Sequence, residues 1–113
     1  MATLPEITEE QFSEYKAQVE KDIKEHAAVL YMRGVPEAPR CGFSARSVAV
    51  FEDVGVPYHA VDLDSDRGLW KALTRINDWP TSPQIFIKGE FVGGCDNIVE
   101  MWESGELQQI LKG

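Results

Sequence analysis

The apolar run at residues 27–32, AAVLYM, most strongly constrains how this chain can fold. A continuous apolar run of this length is typical of a β-strand that is covered on both faces. A turn-rich stretch follows it, then a helical stretch at residues 44–53 that stops before Gly55 and Pro57, and a second strand at residues 58–63. This strand–helix–strand order predicts a right-handed crossover within one sheet.

A helix precedes this unit. Residues 1–7 are predicted to form a short tail, and residues 8–113 a single domain. Thr8 can cap the helix because Gln11 lies three residues further on, as a capping box requires. The apolar side chains then recur on one helical face. They are Phe12, Tyr15, Val19 and Ile23.

Three further elements complete the predicted fold. Asp64 or Ser65 is expected to cap a third helix, and residues 84–92 to form a hairpin whose turn is Lys-Gly. Asp96 is expected to cap a last helical region that breaks near residues 104–105. The resulting order, α-β-α-β-α-β-β-α, predicts an α/β fold with a four-stranded mixed sheet flanked by helices on both faces.

Composition excludes several classes of function. A chain of 113 residues with a net charge of −8 is expected to repel the phosphate backbone of nucleic acids. No apolar run reaches the roughly 20 residues that a membrane-spanning helix needs, so neither a nucleic-acid nor a membrane partner is expected. Two cysteines are too few for a secreted disulfide framework, which favours a reducing compartment.

Cys41 is the strongest candidate for chemistry. It follows a proline-containing loop and opens a helix, where free backbone N–H groups and the helix dipole favour a thiolate. Arg40 and Arg46 add positive charge nearby. Thioredoxin-like motifs place a second cysteine where this chain has Ser44. An intramolecular disulfide across this turn is therefore excluded, and a second thiol must come from another molecule.

The segment Cys41-Gly42-Phe43-Ser44 resembles the active-site motif of the monothiol glutaredoxin family. Three further blocks agree with that family in order and spacing, and the resemblance extends from about residue 24 to the C-terminus. The blocks are GVPEAP at residues 34–39, WPTSPQ at residues 79–84 and GGCD at residues 93–96.

The resemblance implies a thioredoxin fold of the glutaredoxin type, with Pro83 cis and the backbone of Ser82 facing Cys41. It also implies a glutathione site around Cys41, with Asp96 near the ammonium group of the γ-glutamyl end. The predicted binding residues are Arg33, Phe43, Trp70, Arg75, Thr81, Ser82, Pro83, Gly94, Cys95 and Asp96.

Two positions depart from the family pattern. Arg33 stands where the family usually has lysine, which keeps the charge but changes its shape. Trp70 stands where the family usually has arginine, so a cation for the glycyl carboxylate is missing, and Lys71 or Arg75 is expected to reach in instead. Trp70 itself is interpreted as a surface-lying or packing aromatic more than as a ligand contact.

Cys95 has three open interpretations: a resolving thiol, a cluster ligand, or a buried residue that only fills space beside the site. The resemblance implies that it lies next to bound glutathione and makes contact through its backbone and not its sulfur. His26 and His59 are interpreted as structural, because the sequence has no His/Cys pair at the spacing of zinc ligands.

The resemblance favours an iron–sulfur carrier. A [2Fe–2S] cluster held by thiolates needs four of them. By resemblance, two chains each supply Cys41 as the metal ligand and two glutathione molecules complete the set, so the protein is a monomer when empty and a homodimer when loaded. The implied partners are iron–sulfur scaffold and acceptor proteins. Cys41 and Cys95 from two chains, without glutathione, form a minor alternative.

The second hypothesis is a glutathione-dependent oxidoreductase. Cys41 would remove glutathione from a modified protein, a reaction that needs only one protein thiol and that the family performs weakly. A mitochondrial location is expected, with the cytoplasm of a bacterium as the alternative.

Overall fold

The apolar run of residues 27–32 forms an interior strand of a four-stranded mixed sheet in the computed structural model, which describes residues 3–113. This strand, β1, is buried at every position. The helices are α1 (Glu9–Glu25), α2 (Gly42–Val54), α3 (Arg67–Asn77), α4 (Cys95–Glu103) and α5 (Glu106–Lys112). The strands are β1 (Ala28–Met32), β2 (Gly34–Val35), β3 (Ala38–Pro39), β4 (His59–Asp62), β5 (Gln84–Ile87) and β6 (Glu90–Gly93).

The two faces of β1 belong to two different apolar clusters, which explains why the strand is apolar throughout. Ala28, Leu30 and Met32 point into a cluster formed with α2, α4 and α5. Val29 and Tyr31 point into a second cluster, formed with α1 and α3. The alternation follows from the two-residue period of a strand, and it places helices on both faces of the sheet, as predicted.

The strand order β4-β1-β5-β6 brings four loops to one edge of the sheet. Strand β4 is parallel to β1, β5 is antiparallel to β1, and β6 is antiparallel to β5. The ends of β1, β4 and β6 and the start of β5 therefore share an edge, which we call the thiol edge because Cys41 lies beyond β1. The predicted site residues 33, 41–43, 81–83 and 94–96 all follow or precede a strand at this edge.

Several sequence predictions are confirmed. Thr8 and Gln11 form the predicted reciprocal capping box at the start of α1. Lys88 and Gly89 form the hairpin turn between β5 and β6, with positive φ angles of 53° and 82°. The peptide bond between Ser82 and Pro83 is cis, and the last helical region breaks between α4 and α5.

Two predicted helix caps are wrong. The N-cap of α3 is Asp66, which accepts the backbone N–H of Leu69 at 3.2 Å, because the Asp64 side chain is turned towards arginines. The N-cap of α4 is Gly94, with an extended backbone, so that Asp96 already lies inside the helix. Three aspartates precede α3 at alternate positions, and two glycines precede Asp96 at α4. In both places local sequence does not show which backbone is still extended.

The loop before Cys41 is more regular than predicted. Strands β2 and β3 pair antiparallel within it, Gly34 with Pro39 and Val35 with Ala38. Of the predicted tail, residues 1 and 2 lie outside the described residues, and Leu4 packs against the cluster formed with α1 and α3. Within residues 3–113, the helices are too short or too polar to cross a lipid bilayer.

Candidate functional site

Cys41 is the N-cap of α2 and is partly exposed. Its sulfur accepts the backbone N–H of Ser44 at 3.4 Å and donates to the Ser44 hydroxyl at 3.3 Å. An extended N-cap residue directs its side chain at the unsatisfied N–H groups of the first helical turn. The sulfur is therefore held at the positive end of α2 and can still be reached from solvent.

Ser44 connects the thiol to the end of β1. Its side chain is fully buried, and its hydroxyl accepts the backbone N–H of Arg33 at 3.0 Å. The hydroxyl thus satisfies a strand-end donor while contacting the Cys41 sulfur. A second thiol is absent from this turn, and Cys41 and Cys95 are both free.

Apolar side chains are exposed near the thiol. Phe43, in the first turn of α2, is 61% exposed, and Val35, in the short hairpin before it, is 43% exposed. Phe43 follows Cys41 by two residues, at the start of α2.

A buried carboxylate gathers three arginines at the same edge. Asp64, whose side chain is 5% exposed, lies 3.1 Å from Arg33 Nε, 2.9 Å from Arg67 Nη2 and 3.8 Å from Arg40 Nε. We call these four residues the Asp64 cluster. Burial acts to raise the pKa of Asp64, but hydrogen bonds and charges from Arg33 and Arg67 outweigh it and hold that pKa below its usual value.

Trp70 and Arg75 lie in different surroundings. Trp70 is 5% exposed and packs in the cluster formed with α1 and α3, so its packing role is confirmed. The guanidinium carbon of Arg33 lies 5.6 Å from the centre of its ring. Arg75 instead donates from both Nη groups to Glu9 and stacks one face of its guanidinium group on Phe12 of α1, so its partners lie outside the Asp64 cluster.

The loop before β5 is held by Gln84. Its buried side chain donates to the carbonyl oxygens of Trp79 at 2.8 Å and Thr81 at 3.1 Å, and accepts from Asn77 at 2.8 Å. This fixes the backbone that precedes Pro83. Ser82 is half-buried and Thr81 exposed.

The loop after β6 lies against the same backbone. A Cβ atom on Gly94 would be 3.2 Å from the carbonyl oxygen of Pro83, so that only glycine permits this approach without displacement. Cys95 is 5% exposed, whereas Asp96 is exposed at the start of α4. The structure thus brings Pro83 and Gly94 together, with Asp96 presented to solvent.

Sequence reasoning did not identify Asp64, Arg67 and Gln84 as site residues. Gln84 had a usable signal, since it is the one polar residue in the strand Gln84–Ile87. Asp64 had none, because its partner Arg33 is 31 residues away. Arg67 follows Asp64 by three residues, but its role depends on where that carboxylate points.

The donor set of one chain does not suffice for a metal cluster. Within residues 3–113, no group of three or more His, Cys, Asp or Glu side chains is placed so that it could hold a metal ion. Of the two cysteines, Cys41 is partly exposed and Cys95 is buried. A four-thiolate cluster would therefore need ligands from other molecules.

Comparison with known proteins agrees with this geometry. The family model for glutaredoxins matches residues 28–92, more than half of the chain. "Monothiol glutaredoxin-S15, mitochondrial" of Arabidopsis thaliana is 48% identical over 94 residues, which are 83% of this chain and 56% of that protein. "Monothiol glutaredoxin-S4, mitochondrial" of Oryza sativa subsp. japonica is 50% identical over 82% of this chain and 50% of that protein. The chain thus spans about half the length of these plant relatives.

"Probable monothiol glutaredoxin 2" of Rickettsia felis is 43% identical over 84% of this chain and 91% of that protein. Among solved structures, a buckwheat glutaredoxin–glutathione complex has a TM-score of 0.84 and 27% identity, covering 94% of both chains. Reduced poplar apo GrxS14 has a TM-score of 0.74 and 38% identity, covering 86% of this chain and 89% of that one. The predicted thioredoxin fold of the glutaredoxin type is therefore confirmed, and the chain belongs to the glutaredoxin family, among its monothiol members.

Proposed function

We propose that this protein binds glutathione and carries a [2Fe–2S] cluster that it passes to acceptor proteins. The observation that carries the proposal is the single accessible sulfur of Cys41 at the start of α2. The cluster is cargo in this proposal. Each chain supplies one thiolate, and the remaining ligands come from a second chain and from two glutathione molecules.

The arrangement of the thiol edge supports glutathione as the companion ligand. Glutathione carries two carboxylates and one ammonium group around its thiol. The Asp64 cluster supplies cations next to the end of β4, which is one outer strand of the sheet. The exposed carboxylate of Asp96 follows β6, which is the opposite outer strand. The complex of the buckwheat relative with glutathione further supports this ligand.

The shared cluster explains why transfer is feasible. Two of the four thiolates would belong to small molecules that exchange with solution, so an acceptor's cysteines can replace them stepwise. Phe43 and Val35 supply exposed apolar surface around the thiol for a second chain or an acceptor.

Anaerobic reconstitution tests the proposal. The protein is incubated with ferric iron and sulfide, with or without glutathione, and examined by visible absorption and size-exclusion chromatography. We expect a brown dimer in the presence of glutathione and a colourless monomer in its absence. A colourless monomer in both samples would overturn the proposal.

Two cysteine variants separate the ligand sets. Cys41→Ser should stay colourless, because it removes the accessible ligand. Cys95→Ser is the matched control and should still form the brown dimer, since Cys95 is 5% exposed. Loss of the cluster in Cys95→Ser would instead favour four protein thiolates from two chains.

Glutathione-dependent thiol–disulfide exchange is the second candidate function, and the absence of a thiol at Ser44 is compatible with it. The Cys41 thiolate would attack the glutathione sulfur of a glutathionylated protein, forming a mixed disulfide and releasing the protein thiolate. A second glutathione thiolate would then attack that disulfide, releasing glutathione disulfide and restoring Cys41. Rapid turnover in a coupled assay, without cluster binding, would favour this function.

A mitochondrial location is part of the proposal. It is supported by the two plant relatives named mitochondrial, while the Rickettsia relative represents the bacterial alternative. Antibody detection in fractionated cells of the source organism decides between them.

A further inference from the structure

A groove runs along the outer strand β6, between this strand and the helices α4 and α5. It consists of two hollows of about 450 Å³ and about 240 Å³, which share Val92, Met101 and Glu106 as lining residues. We call it the β6 groove. Its lining residues all lie outside the proposed glutathione site and outside the Asp64 cluster, so it is a separate surface of the molecule.

The floor of the β6 groove is apolar. Val92 and Met101 are half-buried and pack on the cluster formed with α2, α4 and α5, and Ile87 is almost fully buried. Ile110, on α5, is 38% exposed at the side of the groove. The flexible side chain of Met101 can adapt to the shape of a partner. The groove is therefore a concave apolar surface that can accept apolar side chains of another molecule.

The rim of the β6 groove is acidic. Three exposed glutamates line it, and Lys88 is the one basic residue among its lining residues; the glutamates are Glu90, Glu100 and Glu106. Three negative charges and one positive charge leave two negative charges over. Within residues 3–113, none of the three glutamates takes part in an ion pair. The rim therefore attracts a cationic partner.

A β-bulge in β6 determines how a partner can bind. In the pairing with β5, Phe91 and Gly93 lie opposite consecutive residues, so that Val92 is the extra residue of the bulge. A bulge bends the strand and interrupts the regular spacing of its backbone groups, which hinders the addition of a further strand at a sheet edge. A partner must therefore make contact mainly through side chains, as a helix does when it lies in a groove.

The length of β6 suits a helix of two to three turns. A strand of four residues spans roughly 13 Å. Apolar residues at positions i, i+4 and i+7 of an α-helix span about 11 Å. A second copy of this chain is an unfavourable occupant, because it carries a net charge of −8 and would be repelled by the acidic rim.

We infer that the β6 groove binds a basic amphipathic helix of a partner protein. The apolar residues of that helix contact Val92, Met101 and Ile110, and lysine or arginine side chains beside them contact Glu100 and Glu106. The thiol edge stays free for its own ligand while the partner is bound. The inference goes beyond glutathione binding and cluster transfer and does not depend on either.

The test uses two synthetic peptides of about 20 residues, since shorter helices are marginal in water. One has leucines on one helical face and lysines and alanines elsewhere, and the other has glutamate in place of each lysine. Binding is measured by NMR titration of the 15N-labelled full chain at low salt. We expect the lysine peptide to shift the amide signals of β6, α4 and α5 and not those around Cys41. The glutamate peptide should bind more weakly by about tenfold or more.

Charge-reversed variants test the rim. Glu100→Lys/Glu106→Lys should weaken binding of the lysine peptide about tenfold, because two attractions become repulsions. Glu14→Lys/Glu20→Lys is the matched control, since it has the same net charge and its exposed residues lie on α1, outside the groove. Its dissociation constant should stay within about twofold of the wild-type value. Equal weakening in both double variants, or none in either, would overturn the inference.

A further pair of variants tests the apolar floor. Ile110→Ser should weaken binding of the lysine peptide about fivefold, whereas Val35→Ser, at an exposed apolar residue near the thiol, should leave it unchanged. A dispersed 15N spectrum shows that each variant is folded. Equal binding of both peptides, or shifts confined to the surroundings of Cys41, would overturn the inference. A dimer of the protein alone that Ile110→Ser disrupts would show a second copy in the groove and would also overturn it.

Discussion

The backbone N–H of Arg33 donates a 3.0 Å hydrogen bond to the hydroxyl of Ser44, eleven residues further along the chain. The residue that directly follows β1 and the first turn of α2 are thereby joined next to the thiol. Removing the Ser44 hydroxyl leaves this donor without its partner, which costs more free energy than a solvent-exposed hydrogen bond.

Ser44→Ala should therefore lower the free energy of unfolding by about 1–2 kcal/mol. The measurement is urea denaturation followed by circular dichroism. Ser13→Ala, on the exposed face of α1, is the control and should change stability by less than about 0.5 kcal/mol. Equal stability of the two variants would contradict the structural role of the Ser44 hydroxyl.

Tyr31→Phe should lower the free energy of unfolding by about 1–3 kcal/mol, because it leaves the buried carboxylate of Asp22 without one of its donors. The Tyr31 hydroxyl donates to Asp22 at 3.0 Å, and burial together with the Asp22 charge raises the pKa of Tyr31 far above its usual value. Tyr15→Phe is the matched control, since its hydroxyl donates to Asp66 at 2.8 Å on the surface. Thermal unfolding should show a clearly larger loss for Tyr31→Phe.

The contribution of Asp64 to stability should depend on pH. Its pKa in the folded protein is lower than the usual 3.8, so its contribution is complete above that value and is lost as the pH falls through the folded pKa. At pH 7, Asp64→Asn should be less stable than the wild type by about 1–2 kcal/mol. Below pH 3.8 the difference between the two proteins should shrink.

Urea denaturation at several pH values measures this difference. Asp53→Asn controls for the substitution itself, because Asp53 is exposed and accepts only from the indole of Trp102 among the described residues. A difference for Asp64→Asn that stays constant down to pH 2 would contradict the prediction.

Gly93→Ala should destabilise the protein more than Gly55→Ala. Both glycines have a positive φ, 115° and 76°, which costs about 1–2 kcal/mol for a residue with a side chain. A Cβ atom on Gly93 would also overlap the side chain of Asn97, whereas one on Gly55 would meet no atom within 4 Å. Denaturation midpoints measure the two losses, and a larger loss for Gly55→Ala would argue against this packing at the start of α4.

Local sequence predicted most of the fold. The apolar run of β1, the Thr8 capping box and the Lys88-Gly89 turn depend on neighbours only a few residues away, and the structure confirms them. The position of Cys41 at the start of α2 was predictable for the same reason. Helix and strand patterns are set by backbone geometry with short periods, which a single sequence displays directly.

The sequence by itself thus determined the two-sided sheet and the position of the Cys41 thiol at the start of α2. Only the tertiary structure decided which charges surround that thiol. Arg33 meets Asp64 across 31 residues, and Arg75 meets Glu9 across 66. Such pairs depend on strand order and on the orientation of whole helices. The sequence therefore offered Lys71 or Arg75 as the replacement cation, whereas the fold pairs Arg75 with Glu9 and places Arg67 in the Asp64 cluster.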